Sequence, residues 1–230
     1  MEYIAWKLAS NAGVLSFTTT NNATYANEFD LDYDVDDDMK IYTSADWGNK
    51  SSADIIGDLA KAVKLAKAKN LNPKFAFINL DELYRICSAD QIIKASASFA
   101  ANALSIQQTP DLATVNSMLA RQAWLNGIQL RVIDQTITRE LTDGTLTSGN
   151  PFEDRRLILS ETERLGTTQY DILQENNDMI IRAERAHTII KKYGTAEPQS
   201  EVTIGQADAV PVFDTAYRNI YIKTDGSDWE

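Results

Sequence analysis

One histidine, His187, one cysteine, Cys87, and 33 acidic side chains set the limits of the chemistry open to this chain. A thiolate nucleophile would have to be Cys87 with His187 as its base, and neither lies in a local sequence that marks such a pair. Cys87 follows Leu83, Tyr84 and Ile86 and reads as a small buried thiol. Glu184 and His187 form a Glu-x-x-His pair, which on a helix would place two metal ligands on one face. A carboxylate-bridged di-metal centre needs two such pairs, so the single histidine reads as a hydrogen-bonded structural residue. Asp30, Asp32 and Asp34 have the opening spacing of a calcium loop. Val35 stands where the loop needs glycine and Ile41 where it needs a bidentate acid, so the aspartates read as the wet face of a strand. Asp36–Asp38 could bind Ca²⁺ or Mg²⁺ weakly. Gly144 to Gly149 has the spacing of a phosphate loop, but Asn150 and Pro151 replace the lysine and hydroxyl that hold phosphate and Mg²⁺, and a hairpin loop is the better reading. There is no Gly-x-Ser-x-Gly elbow, and no spacing singles out a pair of carboxylates for acid–base work. The residues assemble no catalytic, cofactor-binding or metal-binding constellation.

The composition fits an ordinary globular protein: 230 residues, 43% hydrophobic and 24% charged. With 22 basic residues against 33 acidic ones the net charge is −11, and no run of Lys and Arg exceeds two. A protein that grips nucleic acid by neutralising phosphates needs a basic face, so sequence-specific DNA binding is disfavoured. No apolar stretch approaches the roughly 18–20 residues of a membrane span, and the opening MEYIAWKLAS lacks the basic and apolar regions of a signal peptide. A single cysteine forms no internal disulfide, so the core must hold the fold.

Around these residues the patterning predicts interleaved helices and strands. Glu2–Ala12 reads as the last turns of a helix stopped by Asn11 and Gly13, and Val14–Thr20 as a strand before an Asn21-Asn22 turn. Residues 29–36 alternate Phe29, Leu31, Tyr33 and Val35 with four aspartates, and Met39–Thr43 is a short strand. Ser51 with Asp54 suggests a capping box for a helix through Ile55, Leu59, Val63 and Ala66. Lys74–Leu80 is a dense strand of the kind buried on both faces. Asp81 and Ser88 are expected to cap the next two helices, and Thr109-Pro110 to start another that Gly127 stops. Strands follow at Ile128–Ile133, Thr136–Thr138, Leu157–Leu159, Val202–Ile204, Val210–Phe213 and Tyr217–Lys223, with a hairpin at Asp143-Gly144. Residues 178–192 suit either a strand or a helix. With no regular βαβ period and no internal repeat, the fold class is α+β.

The order of several motifs resembles the major capsid protein E family of tailed phages, the lambda coat-protein type. A helix ends in LARQAWLNGIQLRVID, the hairpin at Asp143-Gly144 follows, and Pro151-Phe152 leads into Arg155–Leu159, then Leu165-Gly166 and Tyr170. In the first half, Asp32-Tyr33 leads to Trp47, Ala53-Asp54-Ile55 opens a helix, Pro73–Asn79 forms a strand and Asp81–Ile86 comes next. Val210-Pro211-Val212 matches the closing strand. The match covers roughly residues 29–223.

The resemblance implies the Hong Kong 97-type phage coat fold, with axial and peripheral domains. Its approximate boundaries would be a peripheral part with the end of the spine helix at 1–50, an axial domain at 51–165, a return through the peripheral domain at 166–200 and closing axial strands at 201–230. It implies a structural coat protein, not an enzyme, of a tailed double-stranded DNA phage or prophage. Such a subunit is assembled in the bacterial host cytoplasm, tiles with itself in hexamers and pentamers of an icosahedral virion shell, and encloses DNA without binding it specifically. Scaffolding or decoration proteins are further implied partners. The family's arm, extended loop and most of its spine helix have no counterpart here, so the chain is expected to be a truncated or recombinant piece. Trp47, Trp124, Arg218 and Trp229 are candidate contacts between subunits, with core packing as the alternative for each. Two other readings stay open: an enzyme using carboxylates and Mg²⁺ near Asp34–Asp38, and a phage accessory protein of the decoration or tail type.

Overall fold

The computed structural model describes residues 2–22, 25–99, 109–140, 144–171, 182–185, 189–195, 200–206 and 208–229. In chain order the elements are α1 (Glu2–Ser10), β1 (Val14–Asn22), β2 (Tyr25–Asp32), β3 (Lys40–Tyr42), α2 (Ile55–Ala68), β4 (Phe75–Asn79), α3 (Leu80–Ser88), α4 (Asp90–Phe99) and α5 (Leu112–Arg121). Strands then dominate: β5 (Gln129–Ile133), β6 (Ile137–Glu140), β7 (Leu146–Gly149), β8 (Arg156–Ser160), β9 (Thr167–Asp171), β10 (Arg182–Arg185), β11 (Ile189–Thr195), β12 (Ser200–Gln206), β13 (Asp208–Val212) and β14 (Asn219–Lys223). Two compact units result. One is Gly166–Val212, with a β10-β11-β12 sheet and a β13-β9 pair; the other joins Glu2–Leu165 to Phe213–Glu230.

The larger unit is built on a mixed five-stranded sheet in the order β3-β14-β8-β4-β5. Its central strands carry apolar residues at successive positions because both faces are covered. By register, Ala76, Leu130, Leu159 and Ile220 share one face, and Phe77, Ile158 and Tyr221 the other. The second face meets α1 through Trp6, whose ring centroid lies 6.0 Å from that of Phe77, and meets Phe213, which sits edge-on to Tyr221 at 6.4 Å. Helices α2, α3 and α5 pack on β14, β4 and β5.

Helix starts follow the best-placed acceptor, and that moves several predicted caps. Asp54, not Ser51, caps α2 by accepting from Gly57 N at 3.1 Å, and Gln91 of α4 donates to the same carboxylate at 2.8 Å. Asn79 caps α3 by accepting from Glu82 N at 2.7 Å, so Asp81 lies inside the helix. The Ser88 hydroxyl donates to Arg85 O instead of opening α4. Asp111, two residues past Thr109, caps α5. Ala12 and Gly13 both take left-handed backbone (φ 52° and 82°), which ends α1 at Ser10 and turns the chain into β1. Ladder pairing of β2 stops at Asp32, yet the alternation continues: Tyr33 is half-buried and Val35 buried while Asp34 and Asp36 are exposed. Residues 182–185 resolve as strand.

Helix α5 also guards the β5 edge of the sheet. Leu130 of β5 points its backbone N–H and C=O away from β4, and the Asn116 side chain takes both, accepting from Leu130 N at 2.7 Å and donating to its carbonyl at 3.2 Å. Asn116→Ala is expected to cost about 1–3 kcal/mol in urea denaturation, since Leu130 is buried and its amide would lose its partner. A cost near zero would show that water replaces the amide there.

Candidate functional site

Helix α3 buries a carboxylate beside Ile86 and Cys87. Its carboxylate Glu82 has 0% relative exposure, whereas Leu80 and Tyr84 are 48% and 64% exposed. Charge as well as apolar packing holds the inward face. Arg85 Nη1 donates to Glu82 Oε2 at 2.7 Å, and the same guanidinium grips Asp154 with two bonds of 2.7 and 2.9 Å. Asn79 donates to Asp154 at 3.2 Å while its oxygen caps the helix. The chain of alternating charge continues through Arg155, which pairs with Asp46. Burial raises the pKa of Glu82, opposed chiefly by the Arg85 hydrogen bond. The Thr224 hydroxyl lies near enough to favour the charged form of Glu82 but makes no aligned hydrogen bond to its buried Oε1.

This network fastens α3 to the residue-154 turn that leads into β8. Arg85 holds the Asp154 carboxyl down at about 2. An aspartate in the unfolded chain titrates near 3.9, so this pair stabilises the fold above roughly pH 4 and the contribution drains away as pH falls toward 2. Asp154→Asn is therefore expected to flatten the acid limb of a stability–pH profile between about pH 4 and 2, read by urea melts at stepped pH. An acid limb of unchanged slope would contradict it.

The outward face of α3 has a different character. Leu80, Leu83 and Tyr84 form, with Pro110 and Leu112 at the start of α5, an open apolar groove of about 460 Å³ flanked by Asp81 and Asp111. Cys87 closes its floor, buried, and burial raises its thiol pKa, so it stays protonated and unreactive.

The other residues singled out by sequence scatter. Asp32 accepts from the Asp34 backbone at 2.7 Å, Asp37 pairs with Lys40 at 3.2 Å and Asp38 with Lys69 at 3.0 Å. Among the described residues no three His, Cys, Asp or Glu side chains converge on a point that could hold a metal ion. Gly149 ends the exposed strand β7, which pairs with β6 as a hairpin, and Asp143 lies outside the described residues. His187 also lies outside them, and Glu184 is on a strand, not a helical face.

Of the four candidate contacts, Trp47 is fully buried, donating from Nε1 to Asp58 at 3.2 Å, so it belongs to the core. Trp229 is half-buried under Arg156 and bonds Ile41 O at 2.8 Å. Arg218 pairs with Glu161 while its side chain stays 65% exposed. Trp124 remains 56% exposed. The sequence reading missed Glu82, Arg85, Asp154 and Asn116. An acid one helical turn before the apolar Ile86 was the available signal that α3 buries a charge.

Two solved structures share the fold. The candidate capsid protein of an Escherichia coli CFT073 prophage aligns with 96% of this chain and 62% of its own, at TM-score 0.58 and 14% identity. A phage-related protein from Bordetella bronchiseptica RB50 aligns with 84% of this chain and 58% of its own, at TM-score 0.50 and 14% identity. The fold is phage capsid-like. It is a mixed α+β fold, as expected, and the chain spans about six-tenths of the length of those two proteins. No protein-family model matches it, and none of the curated proteins does.

Proposed function

We propose that this chain is the body of a coat subunit of the tailed-phage major capsid type, which works by tiling with copies of itself around double-stranded DNA. The observation that carries this reading is the likeness of 96% of the chain to a candidate prophage capsid protein. In this reading residues 51–165 and 201–230 form an axial domain, residues 1–50 and 166–200 a peripheral one, and the finished shell is built in the bacterial cytoplasm from hexamers and pentamers. Two physical features support it. The polar chemistry of the larger unit is spent on fastening elements together, as at Glu82–Arg85–Asp154, where a shell subunit needs rigidity. A net charge of −11 suits a wall that must not hold packaged DNA tightly. No helix among the described residues is long and apolar enough to cross a membrane.

Sedimentation velocity over a concentration series, with negative-stain electron microscopy of the heaviest species, tests the reading. Rings of five or six copies, or closed shells, are the expected result. A chain that stays monomeric at every concentration, or that binds only to preformed shells of another protein, would overturn it in favour of an accessory role.

A further inference from the structure

We propose that the apolar groove on the outer face of α3 receives Trp124 from a second copy of this chain, making a head-to-tail contact between subunits. The inference rests on the self-assembly reading above and names the surface that performs it.

Both halves of the contact are visible on one subunit. The receiving half is the groove, where Leu80 and Tyr84 stand exposed on a helix that buries Glu82 on its other side, leaving an apolar patch open to a partner. The inserting half is Trp124, on the 3-10 turn Ala123–Leu125 that follows α5. Its base is rigid. Leu125 beside it is fully buried, and Asn126, in left-handed backbone, donates to Asn72 at 2.6 Å and to the Pro73 carbonyl at 2.9 Å. A large aromatic on a fixed base loses little freedom on docking and buries roughly 150–250 Å². Such residues dominate the energetics of interfaces.

Charge selects the partner. The groove is flanked by Asp81 and Asp111. The turn that carries Trp124 packs against α2, whose exposed positions toward its C-terminal end include Lys64 and Lys67, and Arg121 closes α5 just before it. In a chain of net charge −11, basic side chains on the elements that carry and back Trp124 and acidic ones lining the groove are complementary in sign. Position supplies the geometry. The groove lies at the first residue of α5 and Trp124 three residues past its last, so the ten-residue helix separates them by about 15 Å or more. A copy that seats its Trp124 in one neighbour still presents an open groove to the next, a head-to-tail pattern that closes into a ring when the rotation between copies divides the circle and runs on as a filament when it does not.

Three proteins test this in the full chain: wild type, Trp124→Ala and Tyr84→Lys, with thermal melts to confirm that both exposed substitutions leave the fold intact. Each variant is expected to raise the concentration for half-assembly at least about tenfold. An equal mixture of the two should form pairs but nothing larger, because only one intact groove then meets one intact Trp124. A photo-crosslinking amino acid in place of Trp124 should join residues 80–87 or 110–112 of another copy. Wild-type assembly that both substitutions leave unchanged, or crosslinks to other regions, would overturn this contact and leave the assembly reading standing. A wild-type chain that neither assembles nor crosslinks from position 124 would overturn both.

Discussion

Arg85→Ala is expected to lower the unfolding free energy by roughly 3–5 kcal/mol at neutral pH. Glu82 is fully buried, and Arg85 is its hydrogen-bonded counter-charge at 2.7 Å. Removing the guanidinium leaves a carboxylate in the interior whose charged form has lost its main support, and it also frees Asp154 on the turn into β8. The sign of the pH dependence follows from burial. Glu82 already holds its proton more tightly in the folded state than in the unfolded one, and the variant strengthens that preference. The penalty is therefore smallest at acid pH, where Glu82 is protonated, and grows as pH rises through its elevated pKa. Adding Glu82→Gln to Arg85→Ala should recover part of the loss at neutral pH, because an amide buries at far lower cost than an unpaired charge. Urea denaturation of both variants at two pH values gives the comparison. A single variant within about 1 kcal/mol of wild type at neutral pH would show that Glu82 carries no charge in the native protein.

Trp47→Ala is the second large effect, expected at about 3–5 kcal/mol. The indole is fully buried in the connection between β3 and α2, where the chain has no regular structure of its own to hold it. Its Nε1 donates to Asp58, which also accepts from Ser44 N and from Lys61. The alanine variant leaves both a cavity and a carboxylate, only 4% exposed, that has lost one of its three donors. Trp47→Phe keeps most of the volume and should cost nearer 1–2 kcal/mol, separating the hydrogen bond from the packing. Equal costs for the two variants would mean that the cavity is immaterial. Chemical denaturation followed by circular dichroism, which does not depend on the lost fluorophore, gives both numbers.

Trp47 shows where sequence reading falls short. An aromatic in a Gly- and Ser-rich connection has the composition of a surface contact, and only the distant Asp58, eleven residues on, reveals its burial. What periodicity could reach, it reached: the strand around Phe75–Asn79, the helix through Leu59 and Val63, the hairpin around Gly144 and the α+β class all come from patterns within one element. Caps were harder, because Ser51 and Asp54, or Thr109 and Asp111, compete locally and the winner depends on where the rest of the helix docks. The network on α3 was least legible. Asp154 lies 69 residues from Arg85, and no local pattern links them. The groove was hidden for the same reason: Leu80 reads as the end of a buried strand, and it turns outward only because Asn79 ends that strand by capping the helix.

Asn116 carries a last consequence. By occupying the outward amide and carbonyl of Leu130 it removes from the β5 edge the backbone groups on which an added strand would pair at that point. A strand added at that edge must first displace the Asn116 amide, so the β5 edge resists pairing with another chain.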